Sequence, residues 1–155
     1  MSGLEDLRLV VGAPFVGALL VSLAPARAGR GIAAIGALVT CGLLAASIGA
    51  PVIEVPWVVR GIALRLAVDP LALVGAAACA VAGVMAVLEE TRPSRGRLAG
   101  LLALQGTALA GLLAGDVFVL AGAWTLAPAL VIGLTSGTGS PRARVAGRAL
   151  ALGLA

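Results

Sequence analysis

Asp69-Pro70-Leu71-Ala72-Leu73-Val74-Gly75-Ala76-Ala77-Ala78-Cys79-Ala80-Val81-Ala82-Gly83-Val84-Met85-Ala86-Val87-Leu88 decides the fold. From Leu71 to Leu88 no charged residue interrupts the run, and its length matches what a helix needs to cross roughly 30 Å of hydrocarbon. Pro70 stands at the first helical position, where its missing N–H would be unpaired anyway. Asp69 before it is a good N-cap. The run stops at Glu89-Glu90-Thr91-Arg92-Pro93-Ser94-Arg95-Gly96-Arg97, a polar loop.

The same pattern recurs on both sides. Upstream, Leu9 to Ala24 and Gly31 to Ala50 are apolar runs separated by Pro25-Ala26-Arg27-Ala28-Gly29-Arg30. Downstream, Leu98 to Gly115 and Val117 to Leu134 follow with only Asp116 between them. Together they predict an all-α integral membrane protein with about five spans, at 9–24, 31–50, 71–88, 98–115 and 117–134. The tail, 136–155, begins with the loop Ser136 to Pro141, and Arg142 to Ala155 reads as the start of a sixth helix. The first run is read as a retained span and not a cleaved signal, because Glu5 and Asp6 occupy the place of a basic leader.

Between the second and third runs the character changes. Over 52–69, Val55, Trp57 and Val59 alternate, Arg60-Gly61 intervenes, and Ile62, Leu64, Leu66 and Val68 recur at period two. That spacing predicts a short hairpin at the membrane surface.

Composition agrees with a lipid-embedded chain. Of 155 residues, 61% are hydrophobic and 12% charged, and the mean hydropathy is +1.13, which leaves too little polar surface for a water-soluble globule. The pI near 11.0 does not mark a nucleic-acid binder, because the arginines lie between apolar runs and build no basic face with aromatics. Cys41 and Cys79 both lie in apolar runs, and the chain has no His, so neither a metal site nor a bound cofactor is expected.

Arginine placement sets the orientation. Arg27, Arg30, Arg92, Arg95, Arg97, Arg142, Arg144 and Arg148 fall on one side of a five-span bundle. Arg8, Arg60 and Arg65 fall on the other, with Glu5, Asp6, Glu54, Asp69 and Asp116. By the positive-inside rule the N-terminus and hairpin face outward and the tail faces the cytoplasm, as in a multi-pass protein of the inner (cytoplasmic) membrane.

Lipid gives helices no hydrophobic reason to associate, so small side chains that permit close backbone approach mark the contacts. Gly75, Cys79 and Gly83 form one such stripe; Gly106 with Ala110, and Gly111 with Gly115, form others. No run carries an acid or base near its middle, although such groups usually mark ion pathways. The polar candidates for a proton path are therefore Gln105, Asp116 and Thr125. Two of them have a simpler role, Gln105 as a helix-to-helix bond and Asp116 as the cap of the fifth helix. No nucleophile–base pair, phosphate loop or carboxylate pair is present, so the chain alone has no catalytic machinery.

One order of residues is familiar: Val55-Pro56-Trp57, Gly61, Leu66-Ala67-Val68-Asp69-Pro70-Leu71-Ala72-Leu73, Gly111 to Asp116, then Val117-Phe118-Val119-Leu120-Ala121-Gly122-Ala123-Trp124-Thr125-Leu126. It resembles the N-terminal third of the antiporter-like, proton-pumping membrane subunits of NADH-quinone oxidoreductase (L, M and N, closest to M), with relatives in Mrp-type antiporters and membrane-bound hydrogenases. The resemblance implies a place among other hydrophobic subunits of a proton- or cation-translocating complex. Such subunits have about fourteen helices in two inverted repeats, and a Glu after the fifth-helix Trp pairs with a Lys on the seventh. Here Thr125 follows Trp124, and threonine does not titrate near neutral pH. The expectation is a membrane subunit or partial subunit acting mainly as scaffold, without a complete proton path of its own. The alternatives are a small stand-alone homo-oligomeric transporter or channel, lined by Gln105, Thr107, Thr40, Ser47 and Thr125, and an assembly factor.

Overall fold

The computed structural model describes residues 7–25, 27–48, 53–56, 63–67, 69–91 and 94–136. Five helices, α1 (Leu7–Leu23), α2 (Gly29–Ala46), α3 (Pro70–Glu89), α4 (Arg95–Leu112) and α5 (Val117–Ser136), carry the fold, with β1 (Ile53–Pro56) and β2 (Ala63–Leu66) between α2 and α3. The hairpin is antiparallel, pairing Ile53 with Leu66 and Pro56 with Ala63. The tail after Ser136, read above as the start of a sixth helix, lies outside the described residues.

Helix starts follow their capping chemistry. The Asp69 carboxylate accepts from the Ala72 N–H at 2.7 Å, with Pro70 in the first turn of α3. Ser94 Oγ accepts from the Arg97 N–H at 3.2 Å and opens α4. That cap moves the start of α4 to Arg95, three residues before the apolar run begins at Leu98. Its end moves as well, from Gly115 to Leu112. The hairpin causes this shift: the Ala67 N–H donates to the Leu113 carbonyl at 2.9 Å, the Gly115 N–H donates to the Arg65 carbonyl at 2.8 Å, and Leu66 bridges to Ala114. Backbone groups that would have continued the helix are taken by a third, antiparallel segment. The link between α4 and α5 is thus 113–116 and not Asp116 alone. Helix α2 likewise ends about one turn earlier than the apolar run implied, closing at Ala46 and not Ala50, where the Ser47 N–H donates back to Leu43.

Successive helices pack as neighbours, and α4 additionally touches α1 and α2, so it lies at the centre with α1, α2, α3 and α5 around it. Two apolar clusters form the core. One joins Val10, Leu44, Ala76, Ala80, Leu109 and Leu113; the other joins Val21, Ala33, Ala37, Val87, Leu98 and Leu102. Close approach depends on missing side chains. A Cβ on Gly36 would lie 3.6 Å from the Gly17 Cα, so α1 and α2 meet backbone to backbone there.

The exterior is apolar. Leu71 is 84% exposed and Trp124 73%, with Val16, Leu19, Ile35, Leu38, Val74, Val81, Val117 and Phe118 also exposed. In water such a surface would drive aggregation; in lipid it has the right solvent. Three helical stretches, Gly29–Ala46, Pro70–Glu89 and Val117–Leu134, are long and apolar enough to cross a membrane, and α1 is a shorter apolar helix. Helix α4 is the least apolar of the five, with Arg95 and Arg97 in its first turn and Gln105 and Thr107 within. The chain is a membrane-embedded helical bundle.

Candidate functional site

The buried polar side chains among the described residues are Thr40, Ser47, Gln105 and Thr107. Along α2, Thr40 lies between Ala37 of one cluster and Leu44 of the other; along α4, Gln105 and Thr107 lie between Leu102 and Leu109. A thin polar level therefore separates the two apolar halves of the core.

What these groups do there differs. Thr40 Oγ1 donates to the Gly36 carbonyl at 2.9 Å, and Thr107 Oγ1 donates to Ala103 at 2.8 Å. Both are bonds to the preceding turn of the same helix, a habit of buried threonine that leaves no hydroxyl proton for a neighbour. Ser47 Oγ donates to Leu44 at 2.8 Å in the same manner. Gln105 instead crosses between helices, its Nε2 donating to the Ala80 carbonyl of α3 at 3.3 Å. Its carboxamide occupies the notch at Gly83, where a Cβ would fall 2.4 Å from the Gln105 Cδ. The other carboxamide atom, Oε1, is buried without a hydrogen-bond partner.

The other two candidates lie elsewhere. Asp116 sits at the hairpin end of the bundle, about three turns' worth of residues beyond Gln105 along α4 and the link. Its Oδ1 accepts from the Val119 N–H at 2.9 Å, capping α5, and its Oδ2 accepts from the Arg65 N–H of the hairpin. Burial is the largest single influence and raises its pKa, but the N–H groups of Arg65, Val119 and Phe118 and the Arg65 charge together outweigh it, so the carboxyl is held below its ordinary range. Thr125 is exposed on α5 and donates to the Gly122 carbonyl at 3.0 Å. No hydrogen bond links any two of Gln105, Asp116 and Thr125. They do not form one path.

The small-residue stripes lie at helix contacts. A Cβ on Gly75 would meet Leu112 at 3.0 Å, and one on Gly111 would meet Ala123 at 3.2 Å. Cys79 packs against the first core cluster, and Gly115 faces Arg65 of the hairpin, 3.0 Å from its Cβ. A Cβ on Gly106 would meet the Phe15 ring at 2.8 Å. Sequence reasoning missed Gly100, whose Cβ would fall 2.6 Å from Leu134, and the Gly17–Gly36 crossing. It also missed two polar ties at the opposite end of the bundle. Arg30 Nη2 donates to the Leu88 carbonyl, and Arg97 pairs with Glu90 at 3.2 Å.

A groove of about 470 Å³ runs between α4 and α5, lined by Thr107, Gly111, Trp124 and Pro128 among others. Pro128 has no N–H, so the Trp124 carbonyl at this level lacks its helical donor. Among the described residues no cluster of His, Cys, Asp or Glu is suited to hold a metal. Compared with known proteins, the chain matches no family model and no curated protein.

Proposed function

We propose that the chain is a helical scaffold subunit, or part of one, in a proton- or cation-translocating membrane complex of the respiratory NADH-quinone oxidoreductase and Mrp type, with no complete proton path of its own. The observation that carries this reading is the make-up of the polar level: Thr40, Gln105 and Thr107 are the groups there, none of them titratable, and both threonines are bonded within their own helices. Proton transfer through a bundle needs titratable or water-linked groups in series. The ordered resemblance to antiporter-like subunits supplies the family, and Thr125 in place of its acid agrees with a structural role.

In this reading all five helices span the inner membrane. Arg27, Arg30, Arg95 and Arg97 gather at one end of the bundle, the cytoplasmic end by the positive-inside rule, and the hairpin caps the outer end. The apolar outer face of α5, with Val117, Phe118 and Trp124 exposed, is available to lipid or to a neighbouring subunit.

Three measurements test this. Affinity purification of the tagged chain from native membranes in mild detergent is expected to recover other hydrophobic subunits of a translocating complex; recovery as a lone monomer would refute it. Liposomes containing the chain alone are expected to show no proton or sodium flux above empty vesicles, whereas flux would establish the homo-oligomeric channel instead. A cysteine placed at Arg95 is expected to react with an impermeant maleimide only from the cytoplasmic side.

A further inference from the structure

A trough runs down the outside of the bundle between α1 and α2. Arg8, Gly12, Val16 and Leu20 stand along its α1 wall, one stripe at four-residue spacing, and Ile35 and Val39 belong to its α2 wall. The two helices meet backbone to backbone at Gly17 and Gly36, which form the floor. A Cβ on Gly12 would meet nothing within 4 Å, so the trough is open at that position.

Its dimensions select what can lie in it. From Arg8 to Leu20 is about 18 Å of helix, a little more than the roughly 15 Å that one leaflet contributes to the hydrocarbon core. A volume of about 450 Å³ drawn out over that length is too slim to seat a helix, which is about 10–12 Å across with its side chains. A single hydrocarbon chain fits. Val16, Leu20, Ile35 and Val39 are all exposed and offer it apolar contacts.

Charge distinguishes the two ends of the trough. Arg8 is exposed in the first turn of α1 and is the one charged residue on the lining. It lies at the hairpin end, since Val10 just beyond it packs with Leu44 and Leu113. A guanidinium is a planar fork of five N–H donors that matches phosphate geometry, enough to take a phosphate beside the contact Arg8 makes within the protein. The grooves between α2 and α3 and beside Trp124 have no charged residue on their linings. The groove beside Arg97 follows α4 only from Ser94 to Gly100, about 9 Å. The α1–α2 trough alone among these joins a cation to an apolar channel of leaflet length.

We propose that this trough holds one anionic phospholipid from the leaflet on the hairpin side, with an acyl chain along Gly12, Val16 and Leu20 and the phosphate on Arg8. A headgroup that carries its own cation neutralises its phosphate internally, so a net-negative headgroup gains more from the arginine. The inference needs the bundle to lie in lipid and stands whether or not the chain belongs to a translocating complex.

Native mass spectrometry of the full chain, titrated with phosphatidylglycerol or with phosphatidylcholine of identical acyl chains, tests this. The expected result is one retained phosphatidylglycerol, held several-fold better than phosphatidylcholine. Arg8→Gln should lose most of that preference and Arg8→Lys should keep part of it, while Gly12→Leu, which fills the trough, should weaken retention with the arginine intact. Phosphatidylglycerol bearing a mid-chain diazirine is expected to label α1 and α2 ahead of the equally apolar face of α5. Equal retention of the two lipids by the wild-type chain, a preference unchanged in a folded Arg8→Gln chain, or label spread evenly over the exposed helices would overturn the proposal. A second copy of the chain seated on this face, seen as cross-links from α1 to α1, would do the same. The wild-type comparison and the labelling need no variant, so a substitution that fails to fold leaves the test intact.

Discussion

One carboxylate, that of Asp116, takes the main-chain N–H of Arg65 on one oxygen and the N–H of Val119 on the other, so the same side chain fastens the β1–β2 hairpin and starts α5. Asp116→Ala is expected to loosen both at once. Loss of an N-cap costs about 1 kcal/mol, and the lost tie to the hairpin adds to it. Amide exchange at Arg65 and at Val119 should both accelerate, while exchange in the middle of α3 stays as it was. If only Val119 responds, the hairpin does not depend on Asp116.

The same carboxylate gives stability a pH dependence. Its pKa is depressed, so the native state favours the ionised form more than the unfolded chain does. The resulting stabilisation is complete above the ordinary carboxylate range, about pH 4, and disappears as pH falls through the lowered native value. Thermal midpoints in detergent should therefore drop on acidification in the wild-type chain. Asp116→Asn, which keeps one acceptor but cannot titrate, should show a shallower slope, and identical slopes would remove Asp116 from the account.

Gly83 and Gln105 should be energetically coupled. In Gly83→Ala the new methyl group must displace the carboxamide, breaking its bond to Ala80, at a cost of about 1–3 kcal/mol. In a Gln105→Ala background the same change should be close to neutral, since nothing then occupies the notch. A double-mutant cycle in a denaturant titration reads the difference. Additive effects would mean that the two residues do not share this space.

Glycines should divide by what a methyl group meets. Gly106→Ala pushes on the rigid Phe15 ring at 2.8 Å and is expected to destabilise by about 1–3 kcal/mol. Gly12→Ala and Gly122→Ala meet nothing within 4 Å. Relief of glycine's backbone entropy should make them neutral or stabilising by up to about 1 kcal/mol. Thermal midpoints of the three variants in one detergent decide this.

Much of the architecture was legible in the chain because its signals are local. Run length, the Asp69-Pro70 start and the period-two segment each report on a few consecutive residues, and the helices and hairpin follow from them. The ends of α4 were not legible, since Ser94 shifts its start through a cap and the hairpin claims Leu113 and Gly115 at its finish. Both depend on a partner or a side-chain geometry that apolar run lengths do not record. The candidate site divides the same way. Gln105 stood out as a polar residue in an apolar run, but the Ala80 carbonyl it bonds and the Gly83 notch it fills belong to another helix. In an Ala- and Gly-rich sequence, four-residue spacing does not say which glycines touch; Gly100 and Gly17 needed the packing to be seen.

The central position of α4 constrains how the molecule is made. Its guanidinium groups, amide and hydroxyl make it the worst candidate among the five to partition into hydrocarbon by itself, yet it is the one element every other helix touches. During synthesis it emerges after α3 and before α5, so it must be sheltered by earlier segments, which already hold the Ala80 carbonyl and the Gly83 recess that receive its glutamine. Its entry into lipid is thus coupled to the segments that precede it, because α1 to α3 supply the apolar contacts and the Ala80 carbonyl that a polar helix needs there.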